Sequence, residues 1–303
     1  DTLRAADGWG DKLYHRTAWG YNLTDRGWDT SFTLNGLALE HNETYHTVVR
    51  GTNGAGISTV CVSNGVLIDM TPPINGTVHE GNSFQYGWHP TKGRIYEGDI
   101  DFQWNMLAIY PRILDWFDPE SGIASYRVSV MNQWGRIIFP MTDFGLVQEV
   151  ALPVRMYHLA KYYVVIEVVN GAGIHTTAIS NGVLIDSTAA ECGDVFDNSL
   201  TKSGDIDYVS DVDGVPWFTY FEIDDPDSGL RWMYEAVGSG PTLADVKGWS
   251  PIEFPLKPVK ENTTGSIVPR NLTKESFFNG FKYYTNFYVM NMAGGTTFTY
   301  SDG

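Results

Sequence analysis

Apolar and polar residues alternate one by one along three stretches of the chain. Tyr45, Thr47 and Val49 mark the first, Tyr162, Val164, Ile166 and Val168 the second, and Tyr283, Thr285, Phe287 and Val289 the third. A period of two in β-branched and aromatic residues predicts strands with one buried face. No stretch carries the 3.6-residue period of an amphipathic helix. Asn-Gly, Ala-Gly and Ser-Asn-Gly clusters interrupt the strands and supply the positive-φ positions that turns require. The expected fold class is all-β.

The three stretches open three copies of one motif. They read Tyr45…Asn53-Gly54-Ala55-Gly56…Ser63-Asn64-Gly65, Tyr162…Asn170-Gly171-Ala172-Gly173…Ser180-Asn181-Gly182 and Tyr283…Asn291-Met292-Ala293-Gly294…Ser301-Asp302-Gly303. Asn53 and Asn170 are 117 positions apart, and Asn170 and Asn291 are 121 apart. Such a period is a domain rather than a solenoid unit, so the chain reads as a tandem array. The first two copies run on into Val66-Leu67-Ile68-Asp69 and Val183-Leu184-Ile185-Asp186, and then into Met70-Thr71-Pro72-Pro73 and Ser187-Thr188-Ala189-Ala190. Two adjacent prolines stiffen a chain and remove two donors, as suits a short joint.

A second motif pair lies ahead of the later copies. Gly98-Asp99-Ile100-Asp101-Phe102 matches Gly204-Asp205-Ile206-Asp207-Tyr208, and Asp118-Pro119-Glu120-Ser121-Gly122-Ile123 matches Asp225-Pro226-Asp227-Ser228-Gly229-Leu230. The expected organisation is therefore about two and a half repeats. Residues 1–72 form a partial sandwich without its front strands, 73–189 a complete one, and 190–303 one without its last strand.

The run Leu39, Tyr45, Thr47, Val49, Gly51, Asn53-Gly54-Ala55-Gly56 resembles the late-strand signature of fibronectin type III and related immunoglobulin-like sandwiches. The joints and the Asp-Pro-x-Ser-Gly runs resemble repeats of large extracellular fibres and eukaryotic surface proteins. That resemblance implies tandem β-sandwiches in which the Tyr caps a corner and the Asn-Ala-Gly run turns into the last strand. It implies an extracellular setting and names no activity.

Composition narrows the partners. Formal net charge is −16, which disfavours nucleic acid and anionic membrane surfaces. No apolar run approaches the ~20 residues of a membrane helix. Sequons stand at Asn22, Asn42, Asn75, Asn262 and Asn271, several beside turns, and predict an extracellular or cell-surface glycoprotein with covalent N-glycans. Thr71, Pro72 and Pro73 form a joint open to O-glycosylation or proline modification. Cys61 and Cys192 occupy non-equivalent places in the repeat, leaving three readings: buried thiols, an intrachain bridge, or an intersubunit disulfide.

No hydrolase motif and no phosphate-binding glycine loop is present, so no enzyme activity and no required cofactor is expected. His41 and His46 are five apart, on opposite faces of a strand, and read as surface residues. The acids Asp99, Asp101, Asp118 and Glu120, and Asp205, Asp207, Asp225 and Asp227, are hard oxygen ligands that suit Ca²⁺ if their loops converge. The competing reading of Asp-Pro-x-Ser-Gly is a turn, with Asp capping the backbone and Gly at positive φ. Ten tryptophans divide among core, interdomain packing and contacts with sugar rings.

Two functions fit. In the first, the chain is a structural subunit that polymerises with copies of itself, head to tail, each incomplete end completing its neighbour. Asp1–Ala5 and Thr296–Tyr300 are the candidate donor strands. In the second, the chain is an adhesin or receptor ectodomain that binds protein or carbohydrate through its loops.

Overall fold

The structure, a computed structural model, describes residues 27–81, 86–89, 93–96, 98–197, 205–208, 218–252, 263–267 and 277–303. Of the sequence-derived candidates, Asn22, Asn262, Asn271 and the Asp1–Ala5 segment lie outside them. Among the described residues all regular structure is strand, and the all-β expectation holds.

The first part of the chain contributes β1 (Thr44–Tyr45), β2 (Val48–Thr52), β3 (Ser58–Val62) and β4 (Val66–Leu67). β2 and β3 form an antiparallel ribbon, and β4 returns to pair with β1.

The middle part holds β5 (Thr77–Glu80), β6 (Tyr86–His89), β7 (Gly93–Tyr96), β8 (Phe102–Gln103), β9 (Ala108–Ile109) and β10 (Pro111–Leu114). It continues with β11 (Ile123–Asn132), β12 (Ile137–Asp143), β13 (Leu152–Pro153), β14 (Lys161–Asn170), β15 (His175–Ile179) and β16 (Val183–Ile185). One sheet runs β12-β11-β14-β16-β8, with β15 also on β14; β5–β10 and β9–β13 pair separately. The alternation read from the sequence sets the core: Val164, Ile166 and Val168 of β14 are buried with Val128 and Val130 of β11, and Val78 and Ile113 of β5 and β10 belong to the same cluster.

The last part holds β17 (Val195–Asp197), β18 (Phe218–Ile223), β19 (Leu230–Gly238), β20 (Lys247–Ile252), β21 (Thr263–Ile267), β22 (Tyr284–Asn291) and β23 (Thr296–Tyr300). A β20-β19-β22-β23 sheet and a β17-β18-β21 sheet accompany a second, separate cluster with Ile223, Met233, Phe287 and Val289 fully buried. Thr296–Tyr300 is paired along its length with β22 and stands at the edge of its sheet, so its backbone groups on one side are satisfied within its own sheet.

The motif shared by the three copies does the same local work each time. The hydroxyl of Tyr45 accepts the N–H of Glu40 at 3.0 Å, that of Tyr162 the N–H of Tyr157 at 3.0 Å, and that of Tyr283 the N–H of Phe278 at 2.7 Å. These are tyrosine corners. Ser63, Ser180 and Ser301 each accept an N–H through Oγ, from Thr47, Val164 and Thr285. Gly56, Gly173 and Gly294 turn the hairpins at φ of 80°, 84° and 95°, where a side chain would be strained. Packing is what differs. Ile166 and Phe287 are fully buried, whereas Val49, at the same place in the first ribbon, is 51% exposed.

Candidate functional site

The residues that combine acidity, burial and recurrence sit where one copy passes into the next. Asp69 follows β4 at the end of Val66-Leu67-Ile68. Asp118 opens the Asp-Pro-Glu-Ser-Gly turn, and its Oδ1 accepts the N–H of Ser121 at 2.8 Å and of Gly122 at 3.2 Å. Gly122 has φ of 70°, so this segment is a turn held by its own Asp. Asn170 ends β14, and its Oδ1 accepts the N–H of Ala172 and of Ile174. The other end of that amide crosses to the preceding copy. Nδ2 shares its hydrogens among Asp69 Oδ2 at 2.8 Å, Asp118 Oδ2 at 3.1 Å and the Thr71 carbonyl at 2.9 Å. Ser121 Oγ donates to Asp69 Oδ2 at 2.5 Å, and Thr71 donates to Asp69 Oδ1 through both N–H and hydroxyl. His41 Nδ1 accepts the Met70 N–H at 3.1 Å, which leaves the proton on Nε2, 3.4 Å from Glu120 Oε1.

The second joint repeats the first atom for atom. Asn291 Nδ2 reaches Asp186 Oδ2 at 2.9 Å, Asp225 Oδ2 at 2.9 Å and the Thr188 carbonyl at 2.8 Å. Ser228 Oγ donates to Asp186 Oδ2 at 2.5 Å, and Thr188 Oγ1 lies 2.8 Å from Asp227. His158 accepts the Ser187 N–H at 3.2 Å and faces Asp227 at 3.5 Å. Asp186, Asp225 and Asn291 are buried. Burial by itself would raise the Asp69 carboxyl, but the Ser121 hydroxyl, the two Thr71 donors and the nearby His41 outweigh it and hold Asp69 below the usual range. Asp69 therefore keeps its charge because donors surround it.

Of the acids singled out in the sequence, Asp118, Glu120, Asp225 and Asp227 come together at the joints. Asp99 does not join them; its Oδ1 accepts the Glu80 N–H at 3.0 Å. Asp101 lies near Asn181, 3.4 Å away, and Asp207 is exposed. Asp205 caps the Asp197 N–H at 2.7 Å and stands beside Asp197 and Asp302. Three groups among the described residues bring ligand atoms within 4.8 Å of one another: Asp69–Asp118–Glu120, His158–Asp186–Asp227 and Asp197–Asp205–Asp302. At the joints, both oxygens of the inner Asp residues already accept N–H or O–H donors, the lone pairs that Ca²⁺ would need. In the third group Asp197 Oδ2 accepts none, and burial, with Asp205 and Asp302 adding, pushes its carboxyl upward. A cavity of about 530 Å³ lies alongside, lined in part by Cys192, Asp194, Asp205, Tyr300 and Asp302.

Asp69, Asp186, Ser121, Ser228, Asn170, Asn291, His41 and His158 were not read as one site from sequence, although each repeats with the period. The hydroxyl of Thr71 is engaged by Asp69 and Glu120; Pro72 is exposed and Pro73 buried. Asn42, in a turn at φ of 61°, and Asn75 are exposed. Cys61 is exposed and Cys192 partly buried, and they form no disulfide with each other. Burial pushes the Cys192 thiol up to about 11.

No protein-family model matches the chain, and no curated protein matches it in sequence. Among solved structures it is similar to the FN1–FN3 domains of chicken CNTN1, with 13% identity over 66% of this chain and 63% of that one and a TM-score of 0.23. It is also similar to a Ca²⁺-stabilized adhesin that helps an Antarctic bacterium reach out and bind ice, with 14% identity over 85% and 55% and a TM-score of 0.29. A 1.5-MDa bacterial ice-binding adhesin gives 13% identity over 86% and 73% and a TM-score of 0.31. The chain spans less than two thirds of the first two. Among the described residues the chain itself is all-β, a tandem run of β-sandwiches.

Proposed function

We propose that the chain is a non-catalytic stretch of an extracellular adhesin or receptor ectodomain, in which the sandwiches hold a fixed relation to one another. The observation that carries this reading is the joint built twice. A carboxylate from one copy is buried in the turn of the next and tied by Ser, Thr and Asn donors, at the cost of desolvating two acids each time. A flexible linker would leave those groups in water. Exposed sequons at Asn42 and Asn75, on either side of the first joint, support an extracellular setting, where glycans would coat the joint without entering it. The test is electron microscopy of the purified chain with its mass in solution. Single particles with a constant angle between sandwiches are expected. Particles whose sandwiches adopt random relative angles would defeat the reading.

A second reading has its own observation. The β2–β3 ribbon shows solvent an apolar surface, with Val49, Val60 and Val62 each more than 40% exposed, whereas Ile166 and Phe287, at the place of Val49 in the later copies, are buried. A head-to-tail filament of identical copies would cover it, and Cys61 on that ribbon could then meet a neighbour. Filaments with an axial repeat in the same images would favour this reading.

A further inference from the structure

One more contact crosses the second joint. Trp104 follows β8 in the middle part, and its N–H donates to the carbonyl of Ala293 in the last part at 3.1 Å. Its ring lies against Gly295. A Cβ built on Gly295 would collide with Cζ3 of that ring, sit 2.6 Å from Cε3 and come within 3.1 Å of Asn291 Nδ2. Gly295 occupies the fourth position after Asn291, and the earlier copies carry Ile57 and Ile174 there. The turn is the one that Asn291 organises: Gly295 N–H donates to Asn291 Oδ1 at 2.6 Å, and the Gly295 carbonyl accepts the Asn291 N–H at 2.9 Å. Asn291 therefore grips Asp186 with one end of its amide and, with the other, the turn on which Trp104 rests. The first joint has the same Asp–Asn–Ser network. Ile174 fills the place of Gly295, and a Cβ on Gly173 beside it would meet nothing within 4 Å.

We propose that Trp104 and the Gly294–Gly295 turn form a docking surface between the middle and last sandwiches, a second point of attachment that stiffens the second joint and selects the repeat that can follow the middle one. A contact separated from the Asp–Asn–Ser network adds resistance to rotation about it. The surface fits only a following repeat whose turn ends in Gly-Gly. A β-branched residue at that place, as in the other copies, would drive the ring away. It also fixes the order of repeats, since the first sandwich could not follow the middle one without a clash at Ile57. The inference concerns the geometry of the joint and stands whether the chain serves as a surface spacer or a filament subunit.

Residual dipolar couplings on the full chain test it, because each sandwich reports its own alignment tensor. In the wild-type chain, β11–β14 and β22–β23 are expected to share one tensor. Trp104→Ala and Gly295→Ile are each expected to lower the alignment of one sandwich relative to the other by about twofold, on the loss of one of two anchors. Ile174→Gly at the first joint is expected to change nothing. A common tensor that survives Trp104→Ala would overturn the proposal, as would a loss seen with Gly295→Ile alone, since that would trace to crowding of Asn291. If Gly295→Ile does not fold, Trp104→Ala decides alone.

Discussion

Two buried carboxyl sites in this chain solve the same problem in opposite ways. At the first joint, Asp69 and Asp118 lie within reach of one Asn amide, and both carboxylates collect donors: Ser121, Thr71, Gly122 and Asn170. Inside the middle sandwich Glu80 is fully buried, hydrogen-bonded through Oε1 to the Ser180 hydroxyl, and its Oε2 accepts nothing. The Ser180 hydroxyl is already committed on its other side to the Val164 N–H. Burial, with Asp99 adding its charge, pushes Glu80 up to about 7. The difference shows that donor supply, more than depth, decides whether a buried acid keeps its charge. At the joint, Asp69 keeps its charge and couples two copies. In the sandwich interior, a proton is the cheaper solution.

The sharpest way to break the comparison is to remove the donor that the joint acids share. Asn170→Ala leaves Asp69 and Asp118 buried, facing each other with fewer donors, and deletes the turn contacts to Ala172 and Ile174. The expected loss is about 3 kcal/mol, the usual cost of stranding a buried charge. Urea unfolding read by a probe in the middle sandwich measures it. Asn291→Ala should match it in the last sandwich, because the two networks are equivalent. A loss under about 1 kcal/mol in both would mean that the acids were never charged.

How much of this could be read in the sequence follows the same division. Strand periodicity, the Tyr corner and the Asn-x-x-Gly turn are local, each stated by residues within ten positions, and all were legible. Asp-Pro-x-Ser-Gly was legible as a turn for the same reason. The joint was not. Asn170 meets Asp69 across 101 positions, and nothing local to either residue names the other. Only the repeat hinted at it, since Asp69, Ser121 and Asn170 all recur as Asp186, Ser228 and Asn291. His41 was placed on the surface by its spacing from His46, but it works with Met70 and Glu120, partners that strand parity does not reveal. Glu80 was also invisible, because its burial depends on β5 packing under the turn that carries Ser180.

The second prediction inverts the sign. The folded-state value of Glu80 lies above the ordinary 4.5, so the folded chain holds this proton more tightly than the unfolded chain. The resulting stability is fully present below about pH 4.5 and is lost as pH rises through 7. A chain at pH 8 should therefore be less stable than at pH 5.5, by an amount on the order of 2 kcal/mol from this group. Asp197 and Glu235, both raised by burial, act in the same direction. Glu80→Gln isolates the Glu80 share: it should flatten that part of the slope and stabilise the chain at pH 8. An unchanged slope in the variant would remove Glu80 from the comparison.

A smaller effect is expected at Ser121. Ser121→Ala removes one of two donors to Asp69 Oδ2 while Asn170 remains, for a loss of about 1 kcal/mol at neutral pH. Asp69 is held below its ordinary value, so its contribution is present at neutral pH and disappears as pH falls through the lowered value. The variant should lose this support at a higher pH than the wild-type chain, and acid unfolding curves of the two would show the separation. Coincident acid limbs would mean that Ser121 does not hold the charge on Asp69.

The smallest expected effect is that of calcium on the joints. An ion at Asp69–Asp118–Glu120 or at His158–Asp186–Asp227 would have to displace the Ser, Thr and Asn donors that now fill the inner oxygens, and its coordination would cost the contacts that tie the copies together. Chelation is expected to leave the Asn170 and Asn291 side-chain amide resonances in place and to move the melting temperature by less than about 1 °C, well under the several degrees that 1 kcal/mol produces in a domain of roughly 100 residues. Asp197–Asp205–Asp302 is the informative contrast, because Asp197 Oδ2 there accepts no donor. A calcium-dependent shift confined to these three residues, abolished by Asp302→Asn, would leave the joint argument intact. A shift at Asn170 or Asn291 would show that the donors yield to a metal, and that the joints are held by an ion rather than by hydrogen bonds.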